Sequence, residues 1–128
     1  MEIILTKKES EDLFHTALCG GSDLASIGHL SFDEKDYASS KKKFKKKNPK
    51  ETACLEDVWM QMLRDGKKLK FVDRSGYGMS RMLTIKMVHD RVAKTPIRHL
   101  MDAINKDGDS TTSFEILQAV LFQKSIFG

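Results

Sequence analysis

The sequence predicts one α+β domain, about five helices with a small antiparallel β-hairpin or sheet. Three observations carry that expectation. Between Cys54 and Asn105 the apolar spacing passes from steps of three and four to alternation and back, the pattern of a helix, a hairpin and two more helices. Residues that start and stop helices fall at the joins of those segments. A chain of 128 residues, 40% apolar, buries a core without metal or disulfide staples, so residues 1–128 read as a single compact domain.

From the start of the chain, Glu2 to Leu5 reads as a short strand. Thr6 and Glu9 have capping-box spacing, and the helix they open buries Leu13, Phe14, Ala17 and Leu18 before Gly20-Gly21 ends it. Ser22 to Leu30 shows no period and is expected to be a loop. Ser31 and Glu34 offer a second capping box, leading into a helix through Tyr37 and Phe44 that is polar nearly all round and closes at Asn48-Pro49. From Cys54, residues Leu55, Val58, Trp59, Met62 and Leu63 share a helix face that stops at Asp65-Gly66. Leu69 and Phe71 alternate with lysines as a first hairpin strand, Arg74 to Gly78 connects, and Met79 to Ile85 returns. Thr84 caps a helix carrying Ile85, Val88 and Val92. Thr95-Pro96 reads as N-cap and first helical residue of the next helix, which is expected to bury Ile97, Leu100, Met101 and Ile104. Hydroxyls from Ser110 to Ser113 open the last helix, with Phe114, Leu117, Val120 and Leu121 in a stripe that suits a monomer core or a homodimer interface equally. Ile126-Phe127 closes the chain as a terminal strand or an apolar plug.

The formal charge of +4 is local, because residues 41–50 hold seven lysines and no acid, leaving the remainder net acidic. That segment is expected on the surface of the domain. Lys41, Lys42, Lys43, Lys45, Lys46 and Lys47 form a candidate nucleic-acid contact, against the plainer reading of a solvated helix anchored by Phe44. No zinc-finger or aromatic RNA-binding signature accompanies it. Two cysteines, Cys19 and Cys54, are too few for a disulfide scaffold and are expected as reduced thiols. No apolar run reaches membrane-spanning length and charges interrupt the N-terminal dozen residues, so no membrane partner and a cytoplasmic location are expected.

Catalytic motifs are missing: the sequence has no Gly-rich phosphate loop, nucleophile elbow or HExxH. His15 and Cys19, and His99 and Asp102, have same-face helical spacings too sparse for a structural metal site. No catalytic residue, metal ligand or cofactor is assigned. A metal-dependent or acid–base enzyme is the third reading, and it requires a histidine and a carboxylate, or two histidines, to meet in a cleft. Methionines and arginines surround the hairpin, and Arg74, Tyr77 and Arg81 make its connection the candidate protein-contact surface.

Asn105, Asp107 and Asp109 stand where an EF-hand calcium loop has its first oxygen ligands, and the segment resembles the start of that motif. Ser110 replaces its turn glycine and Ile116 its bidentate glutamate, with Glu115 one residue early, so an inter-helix turn rich in capping residues is the expectation. Leu83 to Val92, then Thr95-Pro96-Ile97-Arg98-His99-Leu100-Met101-Asp102, Ile116 to Phe122 and Ile126-Phe127-Gly128 are similar to small accessory proteins of bacteriophage and prophage genomes. That resemblance implies a protein of the bacterial host cytoplasm that binds a host or defence component. The expected function is therefore a non-enzymatic binding or regulatory protein with a protein partner, the alternative being a nucleic-acid-binding module that uses the lysine segment.

Overall fold

The computed structural model describes residues 3–20 and 22–127. Thr6 caps helix α1 (Lys7–Cys19) through the expected box, its hydroxyl accepting from Glu9 N–H while the Glu9 carboxylate accepts from Thr6 N–H. Ahead of it, Ile3 and Leu5 pack on the core and Ile4 faces solvent. The alternation is strand-like, but residues 3–5 join no ladder; Glu2 of the expected strand lies outside the described residues.

The expected loop after α1 holds structure. A 3-10 turn, Ser22–Ser26, leads into strand β1 (Gly28–Ser31). Gly28 permits the strand to form, because a Cβ there would lie 2.2 Å from the Val72 carbonyl oxygen and 2.7 Å from the Phe71 ring. Helix α2 (Glu34–Lys47) starts at Asp33 and not at Ser31: the Asp33 carboxylate accepts from Lys35 and Asp36 N–H, two orphan donors of the first turn.

Helix α3 (Leu55–Arg64) and strands β2 (Leu69–Asp73) and β3 (Arg81–Leu83) follow as a helix and an antiparallel hairpin, with β3 shorter than the expected Met79–Ile85. β1 adds antiparallel to β2, giving the order β1-β2-β3. Thr84 caps α4 (Ile85–Arg91) as expected. Thr95 does not cap the next helix. It is extended ahead of Pro96, and its buried hydroxyl donates to the Val92 carbonyl at 2.7 Å, closing a 3-10 turn, Val92–Lys94. Pro96 itself is the N-cap of α5 (Ile97–Ile104). Only Leu100 of the expected α5 stripe is buried; Ile97, Met101 and Ile104 are 45%, 39% and 40% exposed, since the short helix meets the core through Leu100 and Ala103.

Helix α6 (Ser110–Phe122) is the centre of the molecule, packing against α1, α4 and α5. Every residue from Ile116 to Phe122 is buried, so the single stripe read from the sequence understates a helix covered on all sides. Around it Phe14, Val58, Leu63, Leu69, Phe71, Leu83 and Val88 close one continuous core. Among the described residues no helix is long and apolar enough to cross a membrane.

Candidate functional site

The connection between β2 and β3 is built by one carboxylate. Asp73 Oδ1 accepts from the Ser75 N–H at 2.8 Å and from its hydroxyl, Oδ2 accepts from the Met79 N–H at 2.8 Å, and the Asp73 N–H donates to Ser80 Oγ at 3.0 Å. These bonds to Met79 and Ser75 hold the Asp73 carboxyl below its ordinary range, so it stays an ionised acceptor. Gly76 and Gly78 supply the left-handed corners, at φ +87° and +68°, that bring residue 79 back onto Asp73. The loop is thereby fixed from within.

Tyr77 sits at its tip, 75% exposed, with its ring 6.3 Å from that of Phe127. Phe127 packs edge-on against Phe122 at 6.0 Å, and the Arg81 guanidinium lies over the Phe122 ring at 5.7 Å. What holds Phe127 there is Gln118, wholly buried on α6: its Oε1 accepts from the Ile126 and Phe127 N–H groups at 2.8 and 2.7 Å, and its Nε2 donates to the Phe127 carbonyl at 3.0 Å. The chain end is therefore an apolar plug and not a strand; Gly128 lies outside the described residues. Of the three residues expected at this surface, Tyr77 and Arg81 share the Phe122–Phe127 platform. Arg74 stands apart on the β1 side, its N–H donating to the Ile27 carbonyl at 2.7 Å and its side chain exposed. Sequence reading missed Phe127 as part of this surface, and Asp73 and Gln118 as the residues that hold it in place. The Asp-x-Ser spacing at the head of a glycine-rich connection was the available signal for Asp73.

The lysine segment forms the second half of α2. Phe44 and Ser40 turn inward, and Lys42, Lys43, Lys45, Lys46 and Lys47 are exposed, with Lys41 half-buried. Lys43 lies 3.6 Å from Asp65, which also accepts from Ser40 Oγ and Gln61 Nε2. Burial pushes the Asp65 carboxyl up, but those two hydrogen bonds and the charges of Lys43 and Lys67 outweigh it and hold it below its usual range. Lys67 reaches back to the Asp36 carbonyl and Ser40 Oγ. The turn after α3 therefore lies along α2. It brings Lys67, Lys68 and Lys70 beside Asp33 and Asp36 in the acidic first turns of α2, a neighbourhood that sequence distance had hidden.

The structure does bring histidines to carboxylates, though not in the pairs the spacing proposed. His15 Nε2 is 2.8 Å from Asp57 Oδ1, and His89 Nε2 is 2.8 Å from Glu11 Oε2, whose other oxygen accepts from Arg64. Both pairs tie α1 to its neighbours, one to α3 and the other to α4. Cys54 Sγ donates to Asp57 Oδ2 at 3.0 Å, so Cys54, Asp57 and His15 form a contiguous row. The order of that row is wrong for a thiol nucleophile: the carboxylate stands between thiol and imidazole, and the imidazole has no access to the thiol proton. The side-chain bond to Asp57 holds the Cys54 thiol above its usual pKa, and burial followed by the Glu56 and Asp57 charges does the same for Cys19. Both are exposed free thiols.

In the segment that resembles an EF-hand, Asn105 ends α5 and Asp109 caps α6, its carboxylate accepting from Thr112 N–H and Oγ1. Asp109 is thus engaged in the backbone of the turn. Comparison with family models, with curated proteins and with solved structures finds no match to this chain.

Proposed function

We propose that this chain is a non-enzymatic binding or regulatory protein whose partner is a protein seated on Tyr77, Arg81 and Phe127, with the buried Phe122 beneath them. The observation that carries the reading is the Asp73 clamp: it orders the backbone of the connection that presents an exposed tyrosine, whose ring faces the docked Phe127. An aromatic side chain presented on a backbone ordered before binding adds contact area with little further loss of loop freedom on association. Tyrosine and arginine are also the side chains on which protein interfaces concentrate their binding energy. The resemblance to phage accessory proteins read from the sequence implies a host or defence component of the bacterial cytoplasm as the partner. Arg74, on the far side of the connection, widens the surface toward β1.

The test is a pull-down from bacterial lysate with tagged protein, with and without nuclease, repeated with Tyr77→Ala and Arg81→Ala. The expected result is a protein band that survives nuclease and is lost or strongly reduced with either variant while both variants remain folded. Retention at wild-type level by Tyr77→Ala, or loss of every co-purifying protein on nuclease treatment, refutes the reading.

A further inference from the structure

We infer a second surface, independent of the first: the lysine-rich C-terminal half of α2 binds the phosphate backbone of duplex DNA without reading its sequence. The helix dipole accounts for Lys45, Lys46 and Lys47 in the last turn of α2, where cations stabilise the terminal carbonyls. That effect fades within a turn, so Lys41, Lys42 and Lys43 gain little from it. Lys41 and Lys45, Lys42 and Lys46, and Lys43 and Lys47 are moreover stacked at i,i+4, an arrangement of like charges that weakens a helix. Among the described residues the one ion pair formed by these six lysines is that of Lys43 with Asp65. The fold sets Lys68 and Lys70 beside Asp33 and Asp36 at the other end of α2, so the acidic end has cations near it while the lysine end gains only Asp65. Neither local helix stability nor ion pairing explains this accumulation.

The chemistry of the face selects the occupant. Lysine is depleted at protein–protein interfaces, which argues against an acidic protein. No large apolar side chain of α2 is exposed, so the helix has nothing to insert among lipid chains. Its two aromatic residues are withdrawn, Phe44 buried and Tyr37 stacked on Phe32 at 4.9 Å, so unpaired bases find no ring to stack on. What remains is a set of flexible point charges without a planar fork, suited to phosphates and not to base edges. Ala38 and Ser39 leave a depression beside Lys41, Lys42 and Lys45 into which a backbone can approach. Asp33, Glu34 and Asp36 at the other end of α2 bound the surface and direct a duplex toward the C-terminal half. Tyr77 follows β2 whereas Lys67, which reaches α2, precedes it, so the two proposed surfaces lie at opposite ends of that strand.

Fluorescence anisotropy with a labelled mixed-sequence duplex of about 20 base pairs tests this directly. With about four phosphates neutralised, affinity is expected to fall roughly 100-fold between about 50 and 200 mM salt. Lys42→Glu/Lys45→Glu/Lys46→Glu is expected to weaken binding by about tenfold or more and flatten the salt dependence, whereas Lys68→Glu/Lys70→Glu, at the acidic end of α2, is expected to change it little. Circular dichroism establishes that the variants are folded, and Tyr77→Ala serves as the control that binds DNA normally. No binding at low salt, wild-type affinity in the triple variant, or tighter binding to the single strand or to phosphatidylserine–phosphatidylcholine vesicles than to the duplex overturns the inference.

Discussion

Replacing Gln118 by leucine isolates the link between the core helix and the proposed partner surface. Leucine keeps most of the buried volume and removes all three hydrogen bonds to residues 126 and 127. At about 1 kcal/mol net per bond, the docked chain end loses about 3 kcal/mol. Releasing residues 125–127 returns about 1–2 kcal/mol of backbone entropy per residue, which matches or exceeds that loss once the bonds are gone. The chain end is therefore expected to be undocked for much of the time, with the rest of α6 in place. Hydrogen exchange followed by NMR reads this residue by residue: the Ile126 and Phe127 amides are expected to lose most of their protection. Core amides such as those of Leu117 and Leu121 should change only by the global loss, about 1–2 kcal/mol in urea unfolding. Tyr77 loses its backing with Phe127, so partner retention should fall in parallel. Phe127→Ala, which removes the ring and keeps the backbone bonds, should reduce retention while preserving much of the amide protection. If the Ile126 and Phe127 amides exchange as slowly in Gln118→Leu as in the wild type, Gln118 does not hold the plug and the platform has another cause.

Three further outcomes are expected. Asp73→Ala frees the Ser75 and Met79 donors to water, so it should cost no more than about 1–2 kcal/mol of stability. It should still abolish most partner retention, and heteronuclear relaxation should show residues 74–79 mobile on the nanosecond timescale. On α5, Leu100→Ala is expected to cost about 2–5 kcal/mol, whereas Met101→Ala should stay within about 0.5 kcal/mol, because the first is buried and the second faces solvent; urea midpoints distinguish them. For acid sensitivity, burial pushes Glu11, Asp57 and Asp65 up, but their hydrogen bonds and cationic neighbours dominate and leave each folded carboxyl below its ordinary value. The stability they contribute is present above the unfolded values, near pH 4, and is lost as pH falls through the lower folded values. On account of these groups the thermal midpoint should drop below about pH 4, and Glu11→Gln should blunt the drop.

How far the sequence determined this protein differs from element to element. The Thr6–Glu9 box, the Thr84 cap and the apolar spacing of α3 are legible because each is settled by residues within four positions of one another. Alternation at Leu69–Phe71 fixed the face of β2 for the same reason, since side-chain period is a property of the strand alone. Likewise the lysine density of α2 and the choice of Tyr77 as the tip of a glycine-rich connection needed no neighbour. Tertiary structure decided the rest. β1 has no period of its own and exists because the edge of β2 was open and Gly28 lets the backbones close. Thr95 offered its hydroxyl to two competing partners, and the Val92 carbonyl in a buried turn took it. α5 carries an apolar stripe that local reading assigned to the core, but a helix of two turns buries only the side its neighbour covers. The joining of Lys67 to α2, of His15 to Asp57 and of Phe127 to Tyr77 depends on where distant segments meet. Periodicity says which way a side chain points, and only packing says what it points at.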